Sequence, residues 1–180
     1  MSMLNINFFN ENVIKRELKM PNEILNNQRA EIIKALNPNG NENSKEGMDC
    51  VLCAYDLQNM KVYFSAAYSQ ISIVRNGALL EFKGDKMSVG KHDRDQEPFT
   101  LNTVELKKGD VIYTFTDGYP DQFGSTNKKL KSKVLKKILL QISNLSMSEQ
   151  KKYLDNFIKD WKGNMEQTDD ILLIGVKIPG

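Results

Sequence analysis

The segment Lys107 to Gly124, KKGDVIYTFTDGYPDQFG, constrains the fold more than any other part of the chain. Gly109-Asp110 marks a turn, and Val111 to Phe115 is a run of β-branched and aromatic residues with the pattern of a strand buried on both faces. The run stops at Thr116-Asp117-Gly118. A rigid strand fixes a carboxylate at its end, and a following glycine lets backbone or an ion approach closely, which suits cation binding. Read alone, Asp117-Gly118 is an ordinary Asp-Gly turn. A second acidic strand end shifts the balance: Asp169-Asp170 stands directly before ILLIGVKI, another apolar run long enough for a central strand. Carboxylates at the ends of two core strands can converge on one divalent cation.

At 180 residues the chain is long enough to bury a core without disulfide or metal staples, and one domain over 1–180 is expected. A formal charge of +2 leaves no footprint for nucleic acid. No apolar run reaches the roughly 20 residues a bilayer-crossing helix needs, and the first residues lack the charge and apolar layout of a signal peptide. No membrane partner and a cytoplasmic location are the resulting expectations. Cys50 and Cys53 form a C-x-x-C, but MDCVLCAYD reads as a strand, where residues three apart face opposite ways. They are therefore read as buried thiols and not as a zinc or redox pair. His92 stands alone in a charged loop.

Along the chain, Ile6, Phe9, Val13 and Leu18 lie near helical spacing, and the segment has no capping residue before it. Pro21 suits the first turn of a second helix that buries Ile24, Leu25, Ile32, Ile33 and Leu36 and ends at 37–41. Strands dominate 47–124: Met48 to Tyr55, Lys61 to Ala67, a hairpin around Asn76-Gly77, then Phe99 to Leu106 and Asp110 to Thr116 as an antiparallel meander. Residues 83–98 read as a long polar loop. Two helices fill 128–163. The first carries Leu130, Val134, Leu135, Ile138, Leu139 and Ile142, and its lysines read as a solvated face. The second is opened by a capping box from Ser146 to Glu149, buries Tyr153, Leu154, Phe157, Ile158 and Trp161, and stops at Gly163. A last strand is placed at 169–178. The fold class is α+β, antiparallel sheets with helices stacked on them.

Taken in order, GMDCVLCAYD, VYFSAAYSQISIVRNGALLEFKGDKMSVG, LKKGDVIYTFTDGYPDQFG and WKGNMEQTDDILLIGVKI closely resemble the SpoIIE-type serine/threonine phosphatases of the metal-dependent (PPM) superfamily. The resemblance spans nearly the whole chain. It implies a sandwich of antiparallel sheets flanked by helices, with two Mn²⁺ or Mg²⁺ ions whose bridging water attacks phosphoserine or phosphothreonine. Asp117 matches the family's metal-binding aspartate in its T/S-D-G segment, and Gly118 the glycine after it. Asp169 matches the aspartate opening the final D-D or D-N segment, and Asp170 its neighbour. Asp49 lies near the place where some members carry an additional acidic ligand. Ala66-Ala67-Tyr68-Ser69 and Ser88 depart from the usual glycine-asparagine and proline.

One departure is larger. The family's aspartate-glycine segment, which supplies the bridging carboxylate, lies upstream of a stretch whose tail resembles Met1-Ser2-Met3-Leu4. The resemblance therefore implies an incomplete sandwich without its first strands, half a metal site, and weak or absent Mn²⁺ or Mg²⁺ binding. It assigns no catalytic side chain here. The implied partner is a phosphoprotein, in relatives usually a STAS-type regulator of a partner-switching pathway. A non-catalytic partner-binding module, a pseudophosphatase, is the alternative. A bared sheet edge implies self-association.

Overall fold

A computed structural model describes residues 2–36 and 46–179. The predicted turn at 37–41 lies outside the described residues. Two compact units divide the chain: Met1–Gln70 with Lys83–Leu106, and Ile71–Phe82 with Lys107–Gly180.

The first unit opens with α1 (Ser2–Asn10), a π-helical turn (Glu11–Lys15) and α2 (Pro21–Leu36). Its strands are β1 (Gly47–Met48), β2 (Cys50–Asp56), β3 (Lys61–Ala67), β6 (Val89–Gly90) and β7 (Asn102–Glu105). Ile24, Leu25 and Ile32 of α2 are buried as expected, Ile33 and Leu36 are only half-buried, and Pro21, Gln28 and Arg29 are buried as well. The guanidinium of Arg29 lies 4.8 Å from the centre of the Phe99 ring and donates to the Glu97 carbonyl at 2.7 Å, so a cation is buried with its donors used. The face expected for the first helix is corrected. Ile6 is 61% exposed and Val13 is also exposed, while Asn12 is the buried residue of the π turn. The π turn offsets Val13 from the 3.6-residue spacing on which that expectation rested, while Ile6 lies ahead of it on an exposed face of α1.

The predicted strand Met48 to Tyr55 is broken at Asp49 into β1 and β2. β2 pairs antiparallel with β3 from Cys50↔Ala67 to Asp56↔Lys61, and the Asp56 carboxylate accepts from the Asn59 N–H at 2.9 Å to set the turn between them. The 83–98 stretch is not simply a polar loop. β6 pairs with β1, and Met87 and Val89 join Leu25, Ile32, Ala67 and Phe99 in the core of this unit. The β1–β6 approach is set by glycine: a Cβ on Gly90 would stand 2.6 Å from the Gly47 Cα.

The second unit holds β4 (Gln70–Arg75) and β5 (Ala78–Lys83), apart from the residues at their two outer ends, together with β8 (Val111–Phe115), α3 (Gly118–Asp121), α4 (Ser132–Ile142), α5 (Met147–Lys162) and β9 (Leu173–Lys177). Its sheet has the order β5-β4-β8-β9. Asn76 and Gly77 take φ of 50° and 75°, the left-handed pair a two-residue hairpin turn requires. The meander reading is corrected here. β7 pairs with β3, whereas β8 pairs with β4 and β9, so consecutive strands belong to different sheets. Lys107-Lys108-Gly109 makes the break, and Gly109 adopts a φ of 83°.

Leu135, Ile138, Leu139 and Ile142 of α4 pack with Val74, Val111 and Tyr113. Val134, predicted on this face, is exposed. The capping box is realised on both sides, with Glu149 N–H donating to Ser146 Oγ at 3.3 Å and Ser146 N–H to Glu149 Oε2 at 2.9 Å. Gln150 is buried on α5 where Tyr153 was predicted; it accepts from the Tyr113 hydroxyl at 2.6 Å. A pattern of apolar residues cannot find a buried amide. The architecture is α+β, with antiparallel sheets and helices.

Candidate functional site

β8 ends at Phe115, and Thr116-Asp117 leads into the four-residue helix α3. Gly118, Tyr119 and Pro120 are buried in it, and the Tyr119 hydroxyl donates to the Leu154 carbonyl at 2.8 Å, fixing the turn to α5. Burial pushes that phenol up. The Asp117 side chain makes no capping hydrogen bond to α3, although its carbonyl accepts from the Asp121 N–H at 2.9 Å. Its carboxylate is exposed at the strand end.

The same place receives the segment before β9. The Thr116 N–H donates to the Leu172 carbonyl at 2.9 Å. The Thr116 hydroxyl donates to the Asp170 carbonyl at 2.8 Å and accepts from the Leu172 N–H at 3.0 Å. A Cβ on Gly118 would stand 2.9 Å from the Asp170 carbonyl carbon and 3.3 Å from that of Asp169. Only a residue without a side chain lets the two strand ends meet so closely. Asp169 and Asp170 are both exposed, and Asp169 Oδ1 accepts from the Asp170 N–H at 2.7 Å. β9 starts at Leu173 and not at 169, so the acidic pair occupies a bend ahead of the strand and falls outside its alternation.

Asp117, Gly118, Asp169 and Asp170 thus lie on two backbone segments in direct contact. Asp49 is exposed between β1 and β2, in the other unit. Sequence reading passed over Thr116, whose neighbour Asp117 drew the attention, and Gln122. Gln122 is buried, and its Nε2 donates to the Glu166 carbonyl at 2.9 Å, while its own carbonyl accepts from Trp161 Nε1 at 3.0 Å. It ties the end of α3 to the approach to Asp169. A single glutamine after a turn carries no signal in a sequence.

The chemistry open to this arrangement follows from its donors. Mn²⁺ and Mg²⁺ take about six oxygen ligands. Among the described residues, no three Asp, Glu, His or Cys side chains are grouped to hold a metal ion. Asp117 and Asp169 do not by themselves make up a two-metal centre. Cys50 and Cys53 are free thiols, half-buried and not fully buried as expected, and what burial they have pushes them to about 12 and about 11. Among the described residues no helix is long and apolar enough to cross a membrane.

Among curated proteins no relative matches the chain. Solved structures do. The SiaA-PP2C domain of Pseudomonas aeruginosa matches with a TM-score of 0.85 at 20% identity, covering 98% of this chain and 68% of that one. PppA, a key regulatory component of T6SS in Pseudomonas aeruginosa, matches with a TM-score of 0.62 at 15% identity over 86% of this chain and 67% of its own. The manganese-presoaked phosphatase domain of the cell fate determinant SpoIIE from Bacillus subtilis matches with a TM-score of 0.56 at 14% identity, over 97% and 73%. These likenesses establish a PP2C-like fold. The profile of the family Stage II sporulation protein E (SpoIIE) matches residues 1–179, essentially the whole chain, and by that match the protein belongs to the SpoIIE family of PPM-type phosphatase domains.

Proposed function

We propose that this chain is part of a metal-dependent phosphatase acting on phosphoserine or phosphothreonine of a signalling protein, with Asp117 and Asp169 as cation ligands. The observation that carries the reading is the contact of Gly118 with the Asp169-Asp170 backbone, closed by the Thr116 hydroxyl. It brings Asp117, just past the end of β8, and Asp169, in the bend ahead of β9, onto adjoining segments, and both side chains are exposed. Among the described residues no three acidic, histidine or cysteine side chains are grouped to hold a metal, and this reading has the 180-residue chain alone inactive and binding Mn²⁺ or Mg²⁺ weakly. Its phosphoprotein partner is of the STAS type, by extension from the resemblance to the family alone.

The same shortfall of donors supports a second reading, a module that recognises the phosphoprotein without hydrolysing it. Thermal midpoints with and without Mn²⁺ test the ligand assignment in either case. Asp117→Asn and Asp169→Asn abolish whatever upward shift Mn²⁺ produces, and Asp170→Asn retains most of it. A shift that survives the first two changes and disappears with the third refutes the assignment.

A further inference from the structure

The exposed lysines of 128–137 form a surface that the fold leaves short of counter-charge. This stretch, KKLKSKVLKK, holds six lysines and no acidic residue, and the next carboxylate along the chain is Glu149. Two of the six are paired, Lys129 with Asp121 at 2.6 Å and Lys136 with Glu81. Lys128, Lys131, Lys133 and Lys137 are exposed and have no acidic partner among the described residues. Lys133 and Lys137 stand one turn apart, on the side of α4 opposite Leu135, Ile138, Leu139 and Ile142. α5 is the ordinary solvated helix of the same unit. Its lysines are interspersed with Glu149, Asp155 and Asp160, and Lys159 pairs with Asp155 at 2.7 Å.

The fold holds the lysine run beside the turn that carries Asp117. The Leu130 N–H donates to the Gln122 carbonyl at 3.1 Å and the Lys131 N–H to the Pro120 carbonyl at 2.6 Å, so the chain before α4 runs back along the end of α3. Lys131 is fixed there at a φ of 75° and a ψ of 141°, a conformation that favours glycine. Its hydrogen bonds are made by its N–H and carbonyl, and a glycine would keep them with less strain. What the lysine side chain adds at this position is charge.

We infer that this lysine ridge docks an acidic segment of a protein partner. Ammonium groups act as hydrated point charges, and the chain from Lys107 onward holds no arginine for bidentate phosphate contacts. The run contains no aromatic residue on which a base could stack. Apart from Val134, the apolar residues of α4 are buried or half-buried, which leaves little for a lipid surface to take up. The inference rests on the phosphatase reading only in taking the partner to be the phosphoprotein; docking itself needs neither metal nor phosphate.

The test is fluorescence anisotropy of a labelled oligoglutamate peptide, titrated with the 180-residue chain at low salt and without Mn²⁺. Binding that weakens as salt rises is expected, and Lys131→Glu combined with Lys133→Glu should weaken it roughly tenfold. Lys151→Glu combined with Lys152→Glu on α5 makes the same change in net charge and should leave binding nearly unchanged. Lys131→Arg should keep the affinity. Lys131→Gly should lose part of it while raising the thermal midpoint, which separates charge from any folding defect. No binding at low salt overturns the inference. So does equal loss in the two charge-reversed pairs, full affinity in Lys131→Gly, or binding of oligouridine or phosphatidylserine vesicles as tight as that of the peptide. Because the probe carries no phosphate and no metal is present, failure of the phosphatase reading leaves this result untouched, and failure of docking leaves that reading to its own test.

Discussion

Gly118 and Asp170 are in van der Waals conflict with any side chain at position 118: an added Cβ would lie 2.9 Å from the Asp170 carbonyl carbon and closer still to its oxygen. The obstacle is backbone and cannot swing aside. Gly118→Ala should therefore destabilise the fold by about 1–3 kcal/mol, the usual cost of overpacking. Urea denaturation measures it. Ser125→Ala, on the exposed turn nearby, serves as a neutral control.

That contact also shows where sequence reading succeeds and where it stops. The acidic end of β8 was legible because Asp117 follows an apolar run that is a buried strand. ILLIGVKI, expected as a central strand, instead forms β9 at the end of the sheet order, with Leu172 and Ile174 exposed and Asp169 in a bend ahead of it. The hairpin at Asn76-Gly77 and the cap at Ser146 were legible because their turn chemistry is local. The change of sheet between β7 and β8 was not. Both segments alternate as strands, and nothing in the alternation says which neighbour each will take. The burial of Arg29 and Gln150 was hidden for a different reason, since each depends on partners distant in sequence, Glu97 and Tyr113. The β1–β6 pair depends on a backbone approach at Gly90 that no periodicity reports.

Removing the Tyr113 hydroxyl should leave the Gln150 carbonyl oxygen buried without its donor, because the Gln150 amide nitrogen is already bonded to the Leu145 carbonyl at 3.0 Å. Tyr113→Phe is expected to cost about 1–3 kcal/mol. Gln150→Leu in the same background should recover part of that loss. A double-mutant cycle by chemical denaturation checks both.

Acid stability should depend on Asp110. Burial pushes this carboxyl up, but the Arg75 guanidinium at 2.6 Å and the Lys107 N–H at 2.8 Å outweigh it and hold it below the ordinary range. A depressed folded value means the contribution is full above the unfolded value of about 4 and is lost as pH falls through the folded one. Asp110→Asn should lower stability near neutrality by about 2–3 kcal/mol and flatten the decline below pH of about 4. Denaturation midpoints across that range measure it.

Both cysteines should be slow to react. With their thiols pushed to about 12 and about 11, chiefly by burial, little thiolate is present at neutral pH. Ellman's reagent should label Cys50 and Cys53 far more slowly in the native chain than in urea, and Zn²⁺ should leave the native rate unchanged. Fast native labelling, or protection by Zn²⁺, contradicts the strand geometry of β2.

As a phosphatase the chain would need Asp117 and Asp169 as cation ligands, completed by further donors. The direct measurement is Mn²⁺-dependent phosphate release from a phosphoserine peptide, by the 180-residue chain and by a fusion placing a SpoIIE-type aspartate-glycine segment before Met1. The chain alone should stay at background. The fusion should turn over, and Asp117→Asn or Asp169→Asn should abolish that turnover while Asp170→Asn reduces it less. Turnover by the unfused chain that Asp117→Asn removes would contradict the incomplete site, and fusion activity indifferent to Asp117 and Asp169 would contradict the ligand assignment itself.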